Sequence, residues 1–517
     1  MLSATRQFDA ALRIIATLRA AGHQAFLAGG CVRDLLLGRE PKDYDVATSA
    51  TPDVVLAMFP RTFAVGAHFG VVLVADSDGS IASDETGAEL SKPEYGITEV
   101  ATFRSDGAYS DGRHPDSVRY TTSAEEDVRR RDFTINGLLL NVERIFPQGL
   151  LPDCIVDQSA RDHEPTSGAE ARVDSAVFVR GVKPPPPYGL CSSAEFEGRT
   201  LQTAVIDYVD GVADLDAGIV RAIGQPSARF EEDHLRMLRA VRFAARFSFE
   251  IESNTKLAIR SLAAKTKAVS RERVRDELTK KLIEGHARRA FELLDATGLL
   301  AEVLPEIAKM KGVEQPPQFH PEGDVWVHTL MLLEQLPADC SFTLAWGALL
   351  HDVGKPPTFR VGPDRIRFDG HVEVGVAMAA EICRRFRFSN DETHQILALV
   401  DNHMRFADAP RMKASTLKRF FRLENFPEHL ALHRMDCMAA SGNLDHWNFV
   451  SERYETMPAE AVRPQSLITG RELIAAGYKP GAGFKEMLRA VEDAQLEGLI
   501  ATTEEALRLV RERFSIE

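Results

Sequence analysis

The sequence predicts an α/β head joined to an all-helical body. Three observations carry this. Helical and strand patterns alternate from the first residues to about residue 145. From Tyr208 onward, apolar residues recur at helical spacing almost without interruption. Between the two lies a stretch, 158–205, that is rich in small polar residues, holds KPPPPYG at 183–189 and shows little periodicity. At 517 residues the chain exceeds one compact core, so several domains are expected.

The elements follow in order. MLSATRQFDAALRIIATLRAAGHQ reads as an amphipathic helix and lacks the charged start, apolar core and small-residue cleavage site of a secretory signal. AFLA (25–28) reads as a buried strand. FAVGAHFGVVLVADS reads as a hairpin turning around Gly66 to Gly70, with VVLVA as a buried strand, and ITEVATF (97–103) as another strand. The polar, Gly/Ser-rich stretch 77–96 is expected to be a loop insertion. Stretch 158–205 is expected to be a flexible insertion, because a structureless segment of that length is rare inside a core. Helices are expected within 233–247, 273–298, 325–350, 372–387, 392–403 and 429–440.

Composition excludes several classes. The chain is 44% hydrophobic and 27% charged, ordinary for a folded soluble protein, and has no apolar run long enough to span a membrane. Its six cysteines form no CxxC pair, which argues against a zinc ribbon or a disulfide framework and for a reducing, cytoplasmic setting. A net charge of −14 argues against non-specific coating of nucleic acid. Local basic faces remain available at Arg129 to Arg131, at Arg236, Arg239, Arg242 and Arg246, and at Arg411, Lys413, Lys418, Arg419 and Arg422. The sequence carries no signal for oligomeric state.

Most of the chemistry sits in AFLAGGCVRDLLLGREPKDYDVATSA (25–50). A strand runs into Gly29-Gly30, and a helix begins near Cys31 with Arg33 and Asp34 in its first turns. Adjacent glycines let backbone N–H groups approach a phosphate closely. Asp43-Tyr44-Asp45 follows, and in a strand residues two apart point to one face, so both carboxylates project together. Two converging carboxylates are a natural Mg²⁺ site that would activate a hydroxyl and neutralise a triphosphate.

GGCVRDLLLGREPKDYDVA resembles the signature of the class II tRNA nucleotidyltransferase and bacterial poly(A) polymerase family, within the polymerase-beta superfamily. EEDVRRRDFTING (125–137), the neck stretch 206–247 and ERVRDELTKKL (272–282) resemble further motifs of that family, in the family's order. The resemblance implies a polymerase-beta-like nucleotidyltransferase head, an all-α neck and body, and template-independent addition of nucleotides to RNA 3′ ends. It implies that Asp43 and Asp45 hold Mg²⁺, and that Gly29, Gly30 and Arg33 line the triphosphate pocket. It also implies that Arg130, Arg131 and Asp132 contact phosphate and sugar with Asn136 in support. Asp233 and Arg236 would then read the base, with Arg239 and Arg242 on the same nucleotide-binding face. Lying three apart in EEDHLR, Asp233 and Arg236 are expected to share one turn of a helix. A carboxylate accepts from an exocyclic amino group and a guanidinium donates to a ring nitrogen or carbonyl, a pattern that suits cytosine and adenine. Glu99 and Arg104 in EVATFR also match the family.

A second constellation follows: His328, His351-Asp352, His371, His403 and Asp436. This is the H…HD…H…H…D order of the HD phosphohydrolase superfamily, and the resemblance implies an all-α HD domain with a divalent metal held by these six residues. Imidazole and carboxylate suit Mn, Ni, Fe, Zn or Mg alike. Lys355 in HDVGK is placed to touch a phosphate, whereas His320, His394 and His433 carry no such assignment. GYKPGAGF reads as a turn between two helices of a C-terminal tail, which resembles that of bacterial nucleotidyltransferases carrying an HD domain.

The expected domains are a head over 1–157, the insertion over 158–205, a neck over 206–310, an HD domain over 311–450 and a tail over 451–517. The expected partners are tRNA or other RNA 3′ ends, CTP and ATP. CCA addition to tRNA leads; poly(A) polymerase and A-only or CC-only addition share the motifs. GAHFGVV (66–72) in place of a GRRF-like stretch favours the tRNA enzyme. A reading of another class makes the protein an HD phosphohydrolase with an inactive RNA-binding head, and the presence of both Asp43 and Asp45 argues against it.

Overall fold

The computed structural model describes residues 6–64, 70–75, 97–107, 117–145 and 199–515. The chain divides into two compact units, Met1–Leu262 and Ala263–Glu517. The boundary between the units falls within the stretch 206–310. The expected insertion at 77–96, the hairpin tip at 65–69 and most of 158–205 lie outside the described residues.

The first unit is built on a seven-stranded mixed sheet. Its strands are β1 (Ala25–Ala28), β2 (Val46–Thr48), β3 (Thr62–Phe63), β4 (Val71–Ala75), β5 (Ile97–Thr102), β8 (Leu139–Leu140) and β9 (Val205–Ile206), with a separate ribbon of β6 (Arg104–Asp106) and β7 (Val118–Tyr120). The order is β3-β4-β5-β2-β1-β8-β9. Only β2 and β5 run parallel, pairing Val46 with Val100. All four residues of β1 are buried, as expected for a strand covered on both faces. The Arg6–Ala20 helix buries Phe8, Ile14, Ile15 and Leu18 and packs on β1, β2 and β5. Phe26, Phe103, Val128 and Leu139 form a second core cluster.

One expectation needs correction. The last residues of the 158–205 stretch are ordered structure: Arg199–Ala204 is a helix, and β9 pairs with β8 to extend the sheet. Short apolar strands such as Val205–Ile206 carry too few residues for a periodic signal.

The rest of this unit is helical. Helices Pro226–Glu232, Leu235–Phe247 and Ser253–Leu262 pack around a parallel pair, Ile219–Val220 with Glu250–Ile251. A buried carboxylate ties this part to the head. Asp214 accepts from Thr134 Oγ1 at 2.7 Å and from Arg221 Nε at 2.9 Å, and Thr134 N donates to Arg221 O.

The second unit is almost all helix, apart from a two-stranded ribbon of Arg360–Val361 and Ile366–Arg367. The single helical pattern read over 273–298 is two helices, Arg271–Ile283 and Ala287–Ala296, broken at Gly285. That over 325–350 is Val325–Glu334 and Phe342–Leu350. Trp346 is fully buried and donates its indole N–H to Thr279 Oγ1 at 3.0 Å. Ile468, Leu473, Tyr478, Val491, Ala506 and Val510 form the core of the C-terminal helices. Much of the basic character read at 411–422 is answered by acid: Glu492 meets both Arg419 (2.6 Å) and Arg422 (2.5 Å). No helix among the described residues is long and apolar enough to cross a membrane.

Replacing Asp214 by alanine should lower the stability of the first unit by about 2 kcal/mol, because the Thr134 hydroxyl and the Arg221 guanidinium lose a charged acceptor. Urea unfolding read in that unit's transition checks this; an unchanged midpoint would show that the tie is dispensable.

Candidate active site and candidate metal centre

In the head, β1 ends at Gly29, whose φ of 74° lies in the region L side chains avoid. A Cβ there would also stand 3.0 Å from Arg131 Nη1. The Gly30–Leu36 helix starts immediately after. Asp43 and Asp45 lie in extended chain just ahead of β2, not in a strand as expected. Tyr44 is buried against Phe8, ring centroids 5.1 Å apart, while Asp43 is exposed and Asp45 half-buried. The Asp45 backbone is held by Ala28 N, which donates to Asp45 O at 3.0 Å.

Charge accumulates here. Burial and the Glu99 carboxylate beside it raise the Asp45 carboxyl to about 6, with Arg131 opposing and Asp43 adding to the rise. The neighbouring Cys31 thiol is pushed up to about 12 by burial and by the Asp45 charge, so it is no nucleophile.

The EEDVRRRDFTING segment folds around two carboxylates. Asp127, 1% exposed, accepts from Arg130 Nη2 at 2.6 Å and from Arg131 Nη2 at 3.0 Å. Burial works to raise its pKa, but the two guanidiniums prevail and hold it below the usual value. Its spacing of three and four to the arginines was a signal that the sequence reading did not use. Asp132 accepts from Asn136 Nδ2 at 3.0 Å and from Arg239 Nε at 2.8 Å. Against the burial that works to raise it, Arg239 and Asn136 bring its carboxyl down to about 2. Arg242 is buried, its guanidinium 4.5 Å from the Phe243 ring centroid.

Two expected roles look different in the structure. Arg33 points inward: it is 4% exposed, donates to Asp34 Oδ1 at 2.9 Å and to Asn136, and lies 4.5 Å from the Phe247 ring centroid. Its Nη2 stands 3.5 Å from where a Gly30 Cβ would be, beside the glycine turn. Asp233 is not itself helical, although its backbone carbonyl accepts from Arg236 N at 3.1 Å. It sits extended between the Pro226–Glu232 and Leu235–Phe247 helices, where its Oδ1 accepts from Leu235 N at 3.0 Å. Carboxylates favour such helix starts over helix interiors. Arg236 donates to Glu232 Oε2 at 2.5 Å.

The second unit brings all six predicted residues into one neighbourhood. His328 lies in the Val325–Glu334 helix; His351 and Asp352 follow the Phe342–Leu350 helix; His371 opens the His371–Arg385 helix; His403 follows Asn390–Asn402; Asp436 lies in Phe426–Ala439. Asp352 is central. Its Oδ2 is 3.2 Å from His351 Nε2 and 3.9 Å from His328 Nε2; its Oδ1 is 3.7 Å from His403 Nε2 and 3.9 Å from His371 Nε2. Asp436 Oδ1 is 3.0 Å from His328 Nε2.

The wiring of these imidazoles is informative. His351, His371 and His403 each give Nδ1–H to a backbone carbonyl, of Ala348 (2.8 Å), Phe368 (3.0 Å) and Val400 (2.7 Å). All four Nε2 atoms are buried without an aligned hydrogen-bond partner among the described residues. An imidazole that donates from Nδ1 presents a lone pair at Nε2, the form that binds metal. Burial outweighs the nearby Asp352 charge at His403 and holds it down to about 4, hence neutral. Lys355 Nζ sits 2.7 Å from Asp352 Oδ2 and donates to Gln315 Oε1 at 2.7 Å.

Gly354 of the HDVGK motif has a steric reason. A Cβ there would lie 2.0 Å from the His371 carbonyl oxygen and 2.6 Å from Gly375 N, so only glycine lets the His371 helix press this close. His394 is exposed and His433 stacks on Phe406, as unassigned residues. His320 is different: with Glu322 it stands beside His328, and the three could share an ion. Neither was identified from sequence, because a loop residue near a helix start carries no periodic signal.

Residues 25–156 match the family model of the poly A polymerase head domain, 248–311 that of an RNA- and SrmB-binding site of polymerase A, and 371–510 that of tRNA nucleotidyltransferase domain 2. The CCA-adding enzyme of Streptococcus thermophilus is 28% identical over 97% of this chain and 96% of its own length. That of Latilactobacillus sakei is 31% identical over 67% of this chain and 70% of its own length. The crystal structure of the Bacillus stearothermophilus CCA-adding enzyme in complex with CTP shares the fold, with a TM-score of 0.63 and 24% identity over 98% of each chain.

The raised Asp45 carboxyl has a stability consequence. Its folded pKa of about 6 exceeds the unfolded value of ~3.9, so folding takes up a proton and stability falls as pH rises through that window. In EDTA, Asp45→Asn should therefore stabilise the first unit by about 1–2 kcal/mol at pH 7.5, with the gain shrinking toward pH 4. Urea midpoints at both pH values check it, and a gain independent of pH would refute the charge account.

Proposed function

The chain belongs to the CCA-adding enzyme family, and from that premise we propose how its residues carry out the reaction. The protein is a template-independent nucleotidyltransferase that adds C, C and A to the 3′ end of tRNA from CTP and ATP and releases pyrophosphate. The observation that carries the active-site reading is the acidic group of Asp43, Asp45 and Glu99 gathered beside Gly29 and Arg131.

Asp43 and Asp45 are the residues that would hold Mg²⁺. They fit it by the chemistry of the donors, since carboxylate oxygens are the hard ligands that Mg²⁺ takes. The cation would supply charge against the triphosphate and acidity to the attacking 3′-hydroxyl. Gly29 and Gly30 leave room for phosphate oxygens, and Arg131 faces the same turn. Asp132, held by Arg239 and Asn136, is placed to accept from a ribose hydroxyl, while Arg130 serves the phosphates. Asp233 and Arg236 read the base: the carboxylate accepts from the amino group of cytosine or adenine and the guanidinium donates to the ring. Uracil and guanine would leave buried polar groups unpaired. Arg33 and Arg242 act from inside, bracing the motif helices. The 3′-oxygen attacks the α-phosphorus as its bond to the bridging oxygen breaks, and pyrophosphate leaves.

The six residues of the second unit support a further activity, metal-dependent hydrolysis of phosphate esters at RNA ends. Asp352 is shared by two candidate triads, with His328 and His351 and with His371 and His403, and such a donor set fits a divalent transition metal, which would supply an activated water. Lys355 would meet a phosphate oxygen. We place the protein in the cytoplasm, in keeping with the free state of Cys31, Cys340, Cys383 and Cys437.

The test is extension of tRNA transcripts lacking CCA, lacking CA, or lacking only the final A, with CTP and ATP singly and together. Completion to CCA followed by arrest is expected, and Asp43→Ala should reduce the rate by about 10³-fold or more. An open-ended A ladder would assign poly(A) synthesis instead, and products ending at CC or gaining only A would assign a partial adder.

A further inference from the structure

The histidine centre follows one wiring rule with one exception. Three of its imidazoles rest on backbone carbonyls, but His328 gives its Nδ1–H to a carboxylate, Glu322 Oε1, at 2.7 Å. A carbonyl only selects the tautomer. A carboxylate also places negative charge behind the ring and strengthens the opposite nitrogen as a donor.

Glu322 is an expensive residue at this position. Its side chain is 3% exposed and its Oε2 is buried with no hydrogen-bond partner among the described residues. Burying a carboxylate costs several kcal/mol unless hydrogen bonds and charge answer it. The answer is two imidazoles on one oxygen. His320 Nδ1 lies 2.8 Å from the same Oε1, and the His320 and His328 rings stand edge to face with centroids 5.0 Å apart. His320 and Glu322 come from the loop that precedes the Val325–Glu334 helix. That helix is already capped by Asp324, whose side chain accepts from Val327 N, so Glu322 is not needed for the cap. What Glu322 does touch is the ring whose Nε2 faces Asp436 at 3.0 Å and Asp352 at 3.9 Å.

We propose that Glu322 is a positioning residue of this centre. It holds His328 through Nδ1–H, aims Nε2 at Asp352 and Asp436, and strengthens that nitrogen as a ligand for a divalent cation that displaces its proton. His320, on the same oxygen, keeps the carboxylate in place. The proposal rests on the metal reading of the centre.

The test uses the full chain carrying Asp43→Ala and Asp45→Ala, so that cation uptake reports on the histidine centre. Co²⁺ alone is titrated, read by its d–d absorption and by calorimetry. In this background Co²⁺ binding is expected, and Glu322→Gln should weaken it about 10- to 100-fold while the melting temperature of the cation-free protein changes little. Glu322→Asp, which keeps the charge, should recover part of the loss. Should the glutamine variant not fold, His320→Ala serves: that side chain is 19% exposed, and its loss should weaken Co²⁺ several-fold by freeing the carboxylate. Binding by either variant equal to the background would overturn the role of Glu322. A background protein that takes up no Co²⁺ would overturn the metal reading itself, and the two failures are distinct.

Discussion

A carboxylate taken out of water must be answered by positive charge or by directed N–H and O–H groups, and both units are organised around that demand. In the head, Asp127 is met by Arg130 and Arg131, Asp132 by Arg239 and Asn136, and Asp214 by Arg221 and Thr134. Each tie connects segments that carry a sequence motif. In the second unit, Asp352 is met by Lys355 and by four imidazoles. The groups so answered are rigid. The carboxylate left short of an answer is Asp45, where Glu99 and Asp43 add like charge.

This division explains why neighbouring acids behave oppositely. Burial acts to raise Asp45, Asp127 and Asp132 alike. Asp132 falls to about 2 because Arg239 and Asn136 bond to it directly. Asp45 rises to about 6 because Glu99 and Asp43 add like charge and Arg131 offers only partial relief. The same two guanidiniums that clamp Asp127 thus shape the site from behind, and Arg131 serves both sides of that wall.

Much of the fold was legible. The Arg6–Ala20 helix, β1 leading into Gly29-Gly30, the β5 strand and the long helices of the second unit all announce themselves by period and burial pattern. The strand β9 did not, since two residues at a sheet edge have no period. Asp233 was read as helical because spacing of three matches a helical turn, but it is an extended residue capping the next helix. That Asp34, Asn136 and two phenylalanine rings would enclose Arg33 was not legible, because those partners come from distant parts of the chain or from its own helix face. Glu322 and His320 were passed over because they lie in a loop whose pattern says nothing about what it faces.

The order of residue types along the chain determined which chemistries were possible here: paired aspartates after a glycine turn, and histidines with aspartates on successive helices. Local periodicity determined most of the elements that carry them. What only the tertiary structure decided is which charge faces which. Asp132 and Arg239 are 107 residues apart, and His328 reaches Asp436 across four intervening ligand residues in the sequence. Sequence spacing constrains neighbours within a turn of helix or along a strand, whereas a buried charge finds its partner through packing, and packing is a property of the folded chain alone.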